Sequence, residues 1–119
     1  MALTCVTARA LEVYNMLSPP MVVAVSGAMG AGKTTLISSI LSHAKLASGQ
    51  QVTSPTFSII NLYDTENLGK VCHIDAYRLK TVEEALNLDI PYYYQYVCFI
   101  EWWENIAKII PPDSLKLQV

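Results

Sequence analysis

Between Val23 and Ile37 the chain reads VAVSGAMGAGKTTLI: small aliphatic residues, three glycines within one turn, then Lys-Thr-Thr at the head of a helix-periodic stretch. No other segment restricts the fold as tightly. Gly27-Ala28-Met29-Gly30-Ala31-Gly32-Lys33-Thr34 satisfies G-x-x-x-x-G-K-[ST] at every fixed position. Glycines let the backbone turn its N–H groups inward around phosphate oxygens, and a helix N-terminus behind them adds partial positive charge. In such a loop Lys33 reaches the outer phosphates and the Thr34 hydroxyl binds magnesium, with Thr35 beside it at the helix start. The expected ligand is a nucleoside triphosphate.

That loop requires a buried strand before it and a helix after it. Met21 to Val25 is too continuously apolar to have a wet face, and Ser18-Pro19-Pro20 breaks the chain before it. Leu36, Ile37, Ile40, Leu41 and Ala44 fall on one helical face, which predicts a helix from Lys33 to about Leu46 that stops at Ser48-Gly49. Upstream, Ala10, Val13, Tyr14 and Leu17 recur at helical spacing. Downstream, Phe57 to Tyr63 and Val71 to Ala76 read as strands of a hairpin around DTENLGK. Thr81 and Glu84 have capping-box spacing for a short helix that Pro91 stops. YVCFIE is a second buried strand, Trp102 to Ile110 is helix-like, and LKLQV reads as a last strand. The prediction is an α/β fold: one domain over residues 1–119, a central mixed β-sheet flanked by helices.

At 119 residues there is room for one core. Charged residues make up 15%, below the roughly 25% of an average soluble domain, which hints at surface covered by another protein. No apolar run approaches the ~18 residues of a membrane span, and the N-terminus lacks a secretory pattern. Cys5, Cys72 and Cys98 have no paired spacing and read as reduced thiols of a cytoplasmic protein. Net charge is −2 and the basic residues are scattered, which disfavours autonomous nucleic-acid binding.

A phosphate loop also needs a carboxylate at the end of a neighbouring buried strand, and two stand in such places: Asp75 after VCHI and Glu101 after YVCFI. Magnesium prefers few carboxylates and several waters, so one acid binds it and the other orients water. Glu101 is the preferred metal contact because its strand is the more continuously apolar. His73 lies two residues before Asp75 and shares its face; a role beside magnesium or in the core is favoured over a zinc pair, which lacks further ligands at suitable spacing. Ser54-Pro55-Thr56 lies where other proteins with this loop place a phosphate-sensing switch.

Taken in order, GAMGAGKTT, SPTF, HIDAYRL and IEWWE resemble the TsaE (YjeE) family, the bacterial ATPase subunit of tRNA threonylcarbamoyladenosine biosynthesis. The resemblance runs from the first helix to about Pro111. It implies a P-loop NTPase fold binding ATP and Mg2+, acting with a TsaB–TsaD pair and meeting tRNA only through that complex. It also implies roles: Lys33 and Thr34 as the loop pair, Thr56 as the switch threonine, Asp75 as the acid of H-x-D-x-Y-R. Glu101 and Trp102 match the family's Glu-Trp pair, the first on magnesium and the second beside the nucleotide, and Arg78 is expected to sense phosphate or touch a partner. Three departures stand out: Met29 replaces a usual leucine, Asp89 a usual glycine, and relatives generally continue past the point matching Val119 with further strands. The rival reading is a small P-loop kinase with Asp75 as base for a small-molecule hydroxyl. A guanine-specific switch is disfavoured because Asn-Lys-x-Asp is absent.

Overall fold

The computed structural model describes residues 10–28, 32–53, 55 and 58–119, together with the backbone of Leu3–Cys5. Its centre is a parallel pair, β2 (Met21–Ser26) and β5 (Val97–Glu101), in register from Met21↔Val97 to Val25↔Glu101. Every residue of β5 is buried, as are Val22 to Val25, which is why both segments read as unbroken apolar runs. Around them the sheet runs β1 (Leu3–Cys5), β6 (Leu115–Gln118), β2, β5, β4 (Gly69–Asp75), β3 (Ile60–Thr65). All neighbours are parallel except β3 and β4, which form the predicted hairpin. The sheet is therefore mixed, as expected.

Helices cover both faces. On one side α1 (Ala10–Met16) and α2 (Lys33–Ser42) bring Val13, Leu36, Ile37, Ile40 and Leu41 against Val23, Val25, Val71 and Phe99. On the other, α3 (Val82–Asn87) and two 3-10 segments, Ile90–Gln95 and Trp103–Ile109, set Ala85, Ile90 and Ile106 against Val22, Cys72, Ile74, Cys98 and Ile100. Each fully buried Ile or Phe contributes about 1.5–3 kcal/mol. Cys72 and Cys98 are buried and unpaired, and among the described residues no helix is long and apolar enough to cross a membrane.

Several local expectations shift. Helix α2 ends at Ser42, before the predicted Leu46 and the Ser48-Gly49 stop. The hairpin turn caps it instead: Asn67 donates from its side chain to the His43 carbonyl (3.2 Å) and from its backbone to that of Ala44 (3.1 Å), while Glu66 N–H reaches Lys45 O (2.9 Å). The hairpin is tighter than predicted, with its ladder running on through Asp64↔Lys70 and Thr65↔Gly69. The three-residue β1 carries no sequence signal and exists by pairing with β6 from the far end of the chain. Thr81 does form the full capping box with Glu84. Helix α3 ends at Asn87, short of Pro91, and Asp89 follows with a left-handed backbone (φ 58°) that favours glycine and is tolerated by Asp. The stretch after β5 is 3-10 with a kink at Ile106, not a regular helix.

Candidate functional site

The carboxyl ends of β2, β5 and β4 lie side by side, and the register aligns Val25 with Glu101 and Glu101 with Asp75. Open parallel sheets bind ligands at such ends. Here Gly27 and Ala28 leave β2 and α2 begins at Lys33. Gly32, the residue before α2, has φ 93°, where any other residue is strained, and its carbonyl accepts the N–H of Leu36 (2.9 Å). Gly32, at the cap position, has no side chain to cap this helix start. The first N–H groups of α2 thus have no intrahelical partner, the condition for holding an anion. Met29, Gly30 and Ala31, and Thr56 of the expected switch, lie outside the described residues.

Lys33 is only 6% exposed. Its Nζ donates to the carbonyls of Gly27 (2.8 Å) and Ala28 (3.0 Å) and sits 4.5 Å from the centre of the Trp102 ring. The ammonium is thus folded over the start of its own loop, under an indole. Trp102 reaches there because its backbone is left-handed (φ 56°), which turns the chain sharply as β5 ends. Tyr77, half-exposed, packs on the same indole at 5.1 Å. Thr35, the next residue of α2, is exposed.

Thr34 Oγ1 donates to Glu101 Oε2 at 3.0 Å, and His73 Nε2 contacts the same oxygen at 2.5 Å. Glu101 and His73 are buried. Asp75, one strand over, accepts the Tyr77 N–H (2.9 Å). Burial raises the Asp75 carboxyl above the ordinary carboxylate range, the Tyr77 hydrogen bond opposes this, and the adjacent Glu101 adds to it.

Thr34 and Glu101 offer the hard oxygen donors that magnesium takes, adjacent and at the mouth of the loop, so the residues present fit that ion. Among the described residues no three His, Cys, Asp or Glu side chains are arranged to enclose a metal. The His73 Nε2 is engaged by Glu101.

Some of this was beyond sequence reasoning. The contact of His73 with Glu101 depends on β4 lying beside β5. Ser26, just before the loop, accepts the Trp103 indole N–H (2.8 Å) and donates to Glu104 (3.0 Å), and Asn105 donates to the Ala76 carbonyl (3.0 Å). These bonds tie the segment after β5 to the bases of both site loops. Only the unbroken string EWWEN at the end of a buried strand hinted at them.

Comparison with known proteins agrees with this arrangement. The family model described as "Threonylcarbamoyl adenosine biosynthesis protein TsaE" matches residues 3–119. The TsaE protein of Bacillus subtilis is 34% identical over 101 residues, which cover 85% of this chain and 62% of that protein. The chain thus spans about three-fifths of the length of that relative. TsaE of Treponema pallidum is 32% identical over 111 residues, 90% of this chain and 78% of the relative. The crystal structure of Bacillus subtilis YdiB superposes with a TM-score of 0.63 at 28% identity, covering 94% of this chain and 72% of that one. A match over nearly the full length, on a sheet that presents a strand, glycine turn and helix in this order, leaves one conclusion: the chain belongs to the TsaE family and has its P-loop NTPase fold.

Proposed function

We propose that this chain binds ATP with magnesium and hydrolyses it to ADP and phosphate in the cytoplasm, as a subunit serving tRNA threonylcarbamoyladenosine formation. In this reading it works with a TsaB–TsaD-like pair and meets tRNA only through that assembly. The observation that carries the reading is the 3.0 Å contact of Thr34 with Glu101 at the start of α2, next in sequence to Lys33, whose ammonium lies on the Gly27 carbonyl.

The residues divide the work. Lys33 exchanges its two loop carbonyls for the outer phosphates, staying under Trp102, which shields it from water. Thr34 and Glu101 hold magnesium, which when bound neutralises charge on the phosphate oxygens. Asp75 orients the attacking water and takes up its proton; burial raises its carboxyl above the ordinary range, which makes it the stronger base. Gly27 to Gly32 line the phosphates, and Thr56 is assigned the switch. Segment 103–109 has no regular helix and is tied to Ser26 and Ala76 by side chains, a suitable place for partners to act on both loops.

The test is phosphate release from magnesium-ATP by the purified chain, alone and with a TsaB–TsaD pair and tRNA, with Lys33→Met as the blank. Slow release alone and stimulation by the partners is the expected result. Release that stays at the blank with all partners present overturns the proposal, and labelled phosphate on a small-molecule hydroxyl replaces it with the kinase reading.

A further inference from the structure

His73 has no part in the scheme above, yet it is fully buried beside the site. From β4 its ring reaches across to β5, where Nε2 lies 2.5 Å from Glu101 Oε2. A carboxylate offers only acceptors to such a contact, so Nε2 carries the proton and donates. The oxygen it holds is the one that accepts Thr34 Oγ1. The other ring nitrogen, Nδ1, is buried with no hydrogen-bond partner among the described residues. If the ring served only to fill space, an apolar side chain would do so without burying an unpaired nitrogen. Nε2 is the atom that accounts for an imidazole at this place.

We infer that His73 is the positioning residue of the metal site: its Nε2–H fixes the Glu101 carboxylate with Oε2 toward Thr34, so that the two oxygen donors stand ready before magnesium and nucleotide arrive. The inference rests on the proposed role of Glu101 as a magnesium ligand. Glutamate has three rotatable bonds, and a buried carboxylate without a fixed donor turns toward whichever donor is nearest. Here the donor is set by the sheet itself, because Asp75↔Glu101 and His73↔Phe99 are register pairs and leave the imidazole one pleat behind the carboxylate it holds. Groups that orient metal ligands in this way typically change metal affinity 10- to 100-fold when removed.

Two substitutions of like chemistry and different reach isolate the atom responsible. His73→Gln sets an amide N–H where Nε2 was, whereas His73→Asn reaches only to the position of Nδ1. Magnesium is titrated into each protein saturated with a non-hydrolysable ATP analogue, and tryptophan fluorescence reads the binding. The Asn variant should need about 10-fold more magnesium or beyond, with its affinity for the metal-free analogue nearly unchanged, and Gln should restore the wild-type midpoint. An Asn variant with the wild-type midpoint, or one weakened equally with and without metal, overturns the inference, as does a Gln variant no better than Asn. If both variants fail to fold, wild-type protein without nucleotide still decides: a slowly exchanging, nitrogen-coupled downfield proton on the His73 ring supports the inference, and its absence refutes it. Should wild-type protein fail to bind the magnesium analogue at all, the proposed function falls with it. Wild-type binding with an indifferent Asn variant removes only His73.

Discussion

Replacing Lys33 with Met separates what this side chain does for the fold from what it does for a ligand. Methionine keeps most of the aliphatic stem under Trp102 and removes the ammonium with its two bonds to Gly27 and Ala28. Buried hydrogen bonds from a charged donor contribute about 1.5–3 kcal/mol each. Here Ala28 is exposed and Gly27 half-buried, so the freed carbonyls recover water and most of that contribution is offset. The cation–π contact adds about 0.5–1 kcal/mol, and burial of the ammonium at 6% exposure works against all three. The net loss without nucleotide should be about 1–2 kcal/mol. For a chain of 119 residues that lowers the melting temperature by roughly 3–10 °C, and the protein stays folded. Magnesium-ATP at one hundred times its dissociation constant should stabilise the wild type by about 2.7 kcal/mol and Lys33→Met by only a small fraction of that. Thermal melts with and without nucleotide read both effects. A variant that melts like wild type without nucleotide refutes the structural contacts, and one that gains as much from nucleotide refutes the phosphate role.

Other consequences are as direct. The native state holds a proton on Asp75 where the unfolded chain, near its ordinary value of 3.8, has lost it. Asp75 therefore lowers stability as pH rises from that value through its raised pKa, after which the penalty is constant. Asp75→Asn keeps an oxygen for the Tyr77 N–H, so it should be more stable than wild type at neutral pH, lose that advantage in acid, and hydrolyse ATP about 10²–10⁴-fold more slowly; melts across pH with equal slopes for both proteins would contradict this. Trp102→Phe should abolish most of the nucleotide-dependent change in fluorescence, while Trp103→Phe keeps it and loses about 1 kcal/mol with its bond to Ser26. Thr81→Ala should cost about 1 kcal/mol by opening the capping box, seen as a lower urea midpoint with unchanged slope.

The strand, glycine turn and helix around Gly27 to Thr34 were legible because each follows from a local rule: continuous apolarity for a strand buried on both faces, glycine for a left-handed turn at Gly32, period 3.6 for α2. The capping box at Thr81 and the buried strand ending in Glu101 are equally local. Strand neighbours are not. That β4 lies beside β5, aligning Asp75 with Glu101 and bringing His73 onto the Glu101 carboxylate, depends on hydrogen bonds between segments far apart in sequence, and nothing in either segment specifies its partner. The same holds for the early end of α2, where the hairpin turn supplies donors to the carbonyls of His43, Ala44 and Lys45 just past it, and for β1, too short to carry a pattern of its own. Sequence by itself therefore determined the phosphate loop and the kinds of residue available to it, since backbone conformation and burial periodicity act over a few residues. Tertiary structure decided which carboxylate meets Thr34 and what holds it there, because side chains from separate strands meet only once the sheet has set their register.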